Sequence, residues 1–191
     1  HPKISAFNLG FLSRFLLSCL IDADRLNSAE FEYPARRKIR LGNQHVDWKI
    51  AIDRLETQLA SFPIRDPIDP IRCEISDHCK HRATEKQGIY TLTVPTGGGK
   101  TYASLRYALH HAAIHKLDRI IYIIPYTSII EQNAAAIREV LECEGDAQPW
   151  VLEHHSNLEP ENQTWRTKLV TENWDAPIVL TTMVQFLETL F

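Results

Sequence analysis

The chain has 191 residues, 44% of them hydrophobic and 24% charged, an ordinary composition for a soluble globular protein with one domain or parts of two. Its net charge of −3 excludes the overall basic field that many nucleic-acid-binding domains carry, but it does not exclude a local basic groove. No apolar run approaches the roughly 20 residues that cross a bilayer, so we expect no membrane association.

Two helices are predicted in the first third of the chain. Apolar residues recur at helical spacing across residues 8–31 and again across residues 45–61. The basic run at residues 35–40 is more typical of a solvated linker than of a binding site. Because the chain begins with His1 rather than Met, we expect it to be a fragment of a longer protein.

Asp22 and Asp24 are unusual within the first predicted helix. They follow Leu20 and Ile21, where a carboxylate is costly to bury without a partner. Either they form a helix-end salt bridge, or they act as ligands for a divalent metal ion. Composition alone favours the salt bridge and leaves metal ligation open.

A boundary is predicted at residues 62–70, where three prolines lie close together. A short helix is predicted to follow at residues 70–83. It carries two cysteines and two histidines, but their spacing is not that of the usual zinc sites, so we favour a half-buried helix face.

From residue 89 onward, β-rich segments alternate with helical ones. The predicted strands are IYTLTV, RIIYIIP, PWVLEHH and PIVLTT, and helices follow them at residues 101–115, 128–142, 162–173 and in MVQFLETLF. This alternation predicts an α/β fold built on a parallel sheet with helices on both faces.

A phosphate-binding loop follows the first predicted strand. Its residues are Pro95, Thr96, Gly97, Gly98, Gly99, Lys100 and Thr101. The glycines let backbone N–H groups turn toward an anion, and the following helix places its N-terminus there. Lys100 adds charge for the β- and γ-phosphates, and the Thr101 hydroxyl can ligate Mg²⁺. Val94 stands where the full pattern has its first glycine.

The loop predicts binding of a nucleoside triphosphate. Proteins of that kind are usually cytoplasmic, and the four cysteines show no disulfide framework. We therefore expect a cytoplasmic protein with reduced thiols.

Two other predicted strands end in hydroxyl-bearing residues. These ends are Pro125, Tyr126, Thr127 and Ser128 after the second strand, and Thr181 and Thr182 after the fourth. Ser128 and Glu131 can form a capping box, or the hydroxyls and helix N–H groups can hold a nucleic-acid phosphate. Because both ends lie at the sheet edge that carries the phosphate loop, we favour a groove that follows phosphates without sequence preference.

Several segments resemble the CRISPR-associated HD-nuclease–helicase family, whose motor belongs to helicase superfamily 2. LTVPTGGGKTYASLRYALHHA is similar to motif I, IIYIIPYTSIIEQNA to motif Ia, and APIVLTTMVQFLETLF to the stretch before motif II. VLEHHS also fits, and SRFLLSCLIDADRLNSAEF resembles the last conserved helix of the family's HD domain.

The resemblance implies a partial RecA-like sheet preceded by the all-α end of an HD domain. Residues 1–60 would be HD helices, residues 61–88 a linker, and residues 89–191 the first part of the helicase domain. Lys100 and Thr101 would act in an ATP- and Mg²⁺-dependent motor. Asp24 would ligate a divalent transition metal in the nuclease site.

The implied partners are single-stranded DNA and Cascade, the guide-RNA surveillance complex that recruits this effector in antiviral defence. The acidic box of motif II and the second RecA-like domain are not in the sequence. We therefore expect the chain alone to hydrolyse ATP poorly or not at all. Arg72 and Gln87 precede motif I, where such helicases often contact the base, but neither is a strong candidate.

Three alternatives remain open. The chain could belong to another superfamily 2 helicase, although such motors have no reason to carry an Ala-Asp helix. It could be a P-loop kinase or signalling NTPase that binds no nucleic acid, although the hydroxyl-ended strands argue against this. It could also be a non-catalytic interaction module.

Overall fold

The structure, a computed structural model, describes residues 5–32, 46–146, 149–155, 174 and 176–190. Within them, six helices and three strands occur in the order α1 (Ala6–Glu32), α2 (Trp48–Ser61), α3 (Asp69–Arg82), α4 (Lys100–His115), β1 (Ile120–Ile123), α5 (Thr127–Leu141), β2 (Val151–His154), β3 (Ile178–Thr181) and α6 (Met183–Leu190). These elements confirm most of the predicted helices and strands. The helix predicted at residues 162–173 lies outside the described residues.

The chain divides into two compact units, one of residues 1–44 with 190–191 and the other of residues 45–189. The first unit contains α1, whose apolar side chains, such as Phe15 and Leu20, are largely exposed. Among the described helices, none is both long and apolar enough to cross a membrane.

The second unit is built on a parallel three-stranded sheet in the order β1-β3-β2. All four residues of the central strand β3 are buried, as expected for a parallel strand covered on both faces. Ile123, Thr181 and His154 are in register at the carboxyl ends of the three strands. The segments that leave these ends therefore begin at one edge of the sheet.

Alternate residues of β3 enter two apolar clusters. Ile178 and Leu180 pack in the larger cluster with α2, α4 and α5, whereas Val179 packs in a smaller one with Phe186 of α6. Since successive side chains of a strand point to opposite faces, the two clusters cover opposite faces of the sheet. The predicted α/β fold with a parallel sheet is confirmed.

Helix α2 belongs to the sheet unit. Ala51 and Leu55 are fully buried in the larger cluster, and the Trp48 indole N–H donates to the carbonyl of Leu117 at 2.6 Å. Arg54 makes a two-bond ion pair with Asp146 at 2.7 and 2.8 Å. The resemblance implies that α2 belongs to a first domain of residues 1–60, and its amphipathic pattern does not identify the partner of its apolar face. By its contacts α2 lies in the unit of residues 45–189, and the assignment of residues 1–60 to HD helices stays a prediction.

The first predicted strand, residues 89–94, is not a strand in the structure. Ile89 is 98% exposed, and Tyr90 and Leu92 are also exposed. A β-rich segment becomes a strand only where a neighbouring strand completes its ladder of hydrogen bonds. Among the described strands, β1, β2 and β3 pair only with one another, so this segment has no such neighbour.

Candidate nucleotide site and strand-end surface

The three glycines of the phosphate loop are required for two different reasons. Gly97 and Gly99 have φ angles of +81° and +75°, in the left-handed region that other residues rarely adopt. Gly98 leaves no space for a side chain, because a Cβ there would lie 2.3 Å from Cγ1 of Val94. Val94 stands where the pattern has its first glycine. The absence of a side chain at Gly98 leaves the space that Val94 occupies.

Lys100 and Thr101, the last two residues of this loop, are also the first two residues of α4. The Lys100 Nζ donates to the Val94 carbonyl at 3.1 Å, which holds the ammonium group at the loop. The Thr101 hydroxyl donates to Oδ1 of Asn133 on α5 at 2.8 Å. The two residues expected to contact phosphate and metal are thus held at one helix N-terminus, as the sequence predicts.

A cavity of about 1580 Å³ lies beside the loop. Its lining includes Thr96, Gly97, Gly99, Lys100, Thr101 and Asn133. Small-molecule sites commonly measure about 300 to 1000 Å³, so the cavity has room for a nucleoside triphosphate. Backbone N–H groups and the Lys100 ammonium can donate to the phosphates, and a lone pair of the Thr101 hydroxyl oxygen can bind Mg²⁺, so these residues fit such a ligand.

Arg72 on α3 contacts the phosphate loop. Its Nε donates to the Gly97 carbonyl at 2.8 Å, and its Nη1 pairs with Asp69 at 2.9 Å. The pKa of Asp69 is lowered by hydrogen bonds from the backbone N–H groups of Asp66 and Arg65, and also by Arg72. The sequence makes Arg72 only a weak candidate for a base contact, and it does not predict this contact with a loop 25 residues away. Gln87 is not among the lining residues.

A charge cluster around the buried Arg106 joins α4 to α2 and α3. Arg106 is 8% exposed and makes two hydrogen bonds to Glu56, at 2.8 and 2.7 Å, and one to Asp77 at 2.7 Å. Lys80 and His110 also contact the Glu56 carboxylate. Burial alone would raise the pKa of Glu56, but hydrogen bonds from Arg106, His110 and Lys80 outweigh burial and lower it to about 2. The cluster fixes the helix that begins at the phosphate loop.

The hydroxyl-bearing residues after β1 lie at the N-terminus of α5. Tyr126 is its N-cap residue, the helix begins at Thr127, and none of the described side chains caps it. The capping box considered for Ser128 and Glu131 is therefore not formed. Tyr126 is 65% exposed and Ser128 is also exposed, so the start of α5 is open to a ligand.

The two threonines after β3 have different environments. Thr181 is fully buried, and its hydroxyl donates to the carbonyl of His154 at 2.7 Å. The predicted phosphate contact of Thr181 is therefore unavailable in this arrangement, because its hydroxyl joins two strands. Thr182 is half-buried, and its hydroxyl accepts from the N–H of Gln185 at 3.2 Å, which caps α6.

Asp24 is exposed on α1. Its predicted partner Asp22 has no described side chain, and His1 lies outside the described residues. No group of three or more histidine, cysteine or acidic side chains that could hold a metal ion occurs in the part of the chain that the structure describes. On α3, Cys79 is buried and Cys73 is exposed. Metal ligation by Asp24 therefore stays a prediction.

Comparison with known proteins places these features in a family. A family model described as "Type III restriction enzyme, res subunit" matches residues 49–190. The "CRISPR-associated nuclease/helicase Cas3" of Haloferax volcanii is 30% identical over a stretch covering 53% of this chain. That stretch is 13% of the relative, so this chain corresponds to a small part of that protein. Because the family match extends from α2 to the end of α6, the chain belongs to the Type III restriction enzyme res-subunit family, and its sheet unit is a superfamily 2 helicase domain related to Cas3.

Proposed function

We propose that residues 95–101 bind ATP with Mg²⁺, and that this domain is the nucleotide-binding half of a motor that moves along single-stranded DNA. The observation that carries the proposal is the glycine loop. Its residue Lys100 is the first residue of α4. Lys100, Thr101 and other loop residues line a cavity of about 1580 Å³. Its left-handed glycines and the helix N-terminus are the usual means of holding a phosphate chain.

The residues of the loop have separate roles in this proposal. Backbone N–H groups of the loop and the first turn of α4 would hold the phosphates. Lys100 would exchange its hydrogen bond to the Val94 carbonyl for contacts with the β- and γ-phosphates, where it would neutralise negative charge. Thr101 would hold Mg²⁺, which supplies further charge neutralisation when bound.

The DNA surface in this proposal is the open start of α5. Tyr126 and Ser128 are exposed there, and the helix N–H groups are not capped by any described side chain. Thr182, at the end of the adjacent strand β3, would contribute from the same sheet edge. Because phosphates carry no base identity, such a surface would bind single strands without strong sequence preference.

The similarity to Cas3 supports a finer proposal, in which the motor supplies DNA to a metal-dependent HD nuclease recruited by Cascade. Asp24 would be one ligand for a divalent transition metal in that nuclease. In a longer enzyme that contains both activities, we expect Asp24→Ala to abolish metal-dependent DNA cleavage while ATP hydrolysis persists. Unchanged cleavage would make Asp24 a structural residue.

The test of the nucleotide site is equilibrium binding of a fluorescent ATP analogue to the chain in Mg²⁺ buffer. Lys100→Ala removes the charge that faces the β- and γ-phosphates, so we expect affinity to fall at least about tenfold, or on the order of 1.4 kcal/mol. Lys49→Ala is the matched control, because Lys49 is exposed on α2 and does not line the cavity. Equal affinities of Lys100→Ala and the unaltered chain would overturn the proposal.

A second measurement separates the motor from a P-loop NTPase that binds no nucleic acid. We expect a labelled oligo-dT strand to bind the chain, and Tyr126→Ala with Ser128→Ala to weaken that binding. Ser61→Ala provides a control hydroxyl on α2. Nucleotide binding without any oligo-dT binding would favour the NTPase alternative.

A further inference from the structure

Asn133 connects the phosphate loop to the start of α5. Its Oδ1 accepts from the Thr101 hydroxyl at 2.8 Å, and its Nδ2 donates to the carbonyl of Ile129 at 2.9 Å. Asn133 is half-buried and lines the same cavity as the phosphate loop. One amide group therefore contacts both the N-terminus of α4, at a residue 32 positions away in the sequence, and the first turn of its own helix.

The first hydrogen bond determines how the Thr101 hydroxyl is oriented. A hydroxyl has one proton and two lone pairs, and a metal ion is bound through a lone pair. When the Thr101 proton is directed to Asn133, neither lone pair is used by that hydrogen bond, so either can bind a cation. Without an acceptor at Asn133, the hydroxyl can rotate, and its proton can occupy the direction that a cation requires.

We propose that Asn133 is a positioning residue that orients Thr101 for Mg²⁺ and links the metal site to the first turn of α5. This inference rests on the proposed nucleotide site. It assigns the acceptor for the Thr101 proton to a residue outside the phosphate loop. Removing a side chain that orients a metal ligand in this way typically lowers metal affinity by about 10- to 100-fold.

The second hydrogen bond extends this link to the proposed DNA surface at the start of α5. Ile129 directly follows Ser128, and its own N–H donates to the Tyr126 carbonyl at 3.1 Å. The amide of Asn133 thus contacts the first turn of α5, which contains Ser128 and directly follows Tyr126. Asn133 therefore contacts both the candidate nucleotide site and the first turn of α5 beside the proposed DNA surface.

The experiment measures affinity for the fluorescent ATP analogue in Mg²⁺ and in EDTA, and takes the ratio of the two affinities as the metal-dependent gain. Asn133→Leu removes both hydrogen-bonding groups at similar volume. We expect it to reduce the metal-dependent gain by about tenfold while affinity in EDTA changes less than about twofold. Gln58→Leu, an amide on α2 outside the cavity, is the matched control.

A double-mutant cycle tests whether Asn133 acts through Thr101. We expect Thr101→Val to reduce the metal-dependent gain, and Asn133→Leu to have no further effect in the Thr101→Val background. Independent losses, or a full metal-dependent gain in Asn133→Leu, would overturn the inference while leaving the nucleotide site intact. Failure of the unaltered chain to bind the analogue would instead overturn the proposed function, and the inference with it.

Discussion

At the scale of single residues, the side chain of Val94 fits into the phosphate loop only because Gly98 has no side chain. The position that usually holds the first glycine of a phosphate loop is Val94, and its side chain occupies the space where a Cβ on Gly98 would lie. The carbonyl of Pro95 lies 3.1 Å from that same Cβ position. The loop therefore accommodates Val94 only because residue 98 is glycine.

We expect Gly98→Ala to distort the loop and to weaken nucleotide binding by at least about tenfold, since the added methyl group overlaps Val94. Val94→Ala in the same chain should restore part of the affinity, because it removes the clashing Cγ1 but not the Pro95 carbonyl. Fluorescent-nucleotide titration of the two single variants and the double variant measures this. The pairing is incorrect if Val94→Ala does not improve binding in the Gly98→Ala background.

At the scale of secondary structure elements, α4 is held by α2 and α3 through the charge cluster around Glu56 and Arg106. The Arg106 side chain is 10% exposed and the Glu56 side chain 28% exposed, so each charge depends on the other for solvation. Removing one partner leaves the other charge in a poorly solvated place. The cluster also restricts the helix whose first turn carries Lys100 and Thr101.

The cluster predicts a specific loss of stability in acid. The pKa of Glu56 is lowered from 4.5 to about 2, so its carboxylate stabilises the folded state above about pH 4.5 and loses this effect as the pH falls toward 2. Allowing for partial exposure, the contribution is on the order of 2 kcal/mol. We expect Glu56→Gln to lower the free energy of unfolding near pH 7 by about this amount and to flatten its dependence on pH between 4.5 and 2.

Urea unfolding at a series of pH values measures the effect. Asp53→Asn is the control, since Asp53 is an exposed carboxyl on the same helix. If Glu56→Gln and the unaltered chain lose stability with the same slope below pH 4.5, the cluster does not contribute as described.

At the scale of the whole molecule, the sheet unit contains every residue of the candidate nucleotide site. The lining of the cavity runs from Glu56 to Ile137, and both apolar clusters lie within residues 45–189. Helix α2 contributes Trp48, Ala51 and Leu55 to the larger cluster. The packed unit therefore begins before α2, and not at the proline-rich segment that follows it.

We expect residues 45–191 to fold cooperatively and to bind the ATP analogue with affinity close to that of the whole chain. A shorter chain that begins at residue 62 should lose cooperative unfolding, because it lacks the α2 side chains of the larger cluster. Thermal unfolding and nucleotide titration of both chains measure this. Cooperative unfolding from residue 62 onward would show that α2 is dispensable.

Much of the fold could be predicted because its signals are local. The helical periodicity of α2, α4 and α5 and the β-rich segments of β1, β2 and β3 depend on residues close in sequence. The same local signals predict a strand at residues 89–94. That prediction failed because a strand also needs a hydrogen-bonding neighbour, and no described strand pairs with this segment.

The sequence by itself determined the phosphate loop, because three consecutive glycines followed by Lys100 and Thr101 specify both the backbone turn and the charge that phosphates require. Only the tertiary structure decided which distant groups surround it. Arg72 reaches the Gly97 carbonyl, Asn133 accepts the Thr101 proton, and the hydroxyl of Thr181 turns inward to His154. Spacing along the chain does not encode these contacts, because they arise from how α3, α5 and the sheet pack around α4.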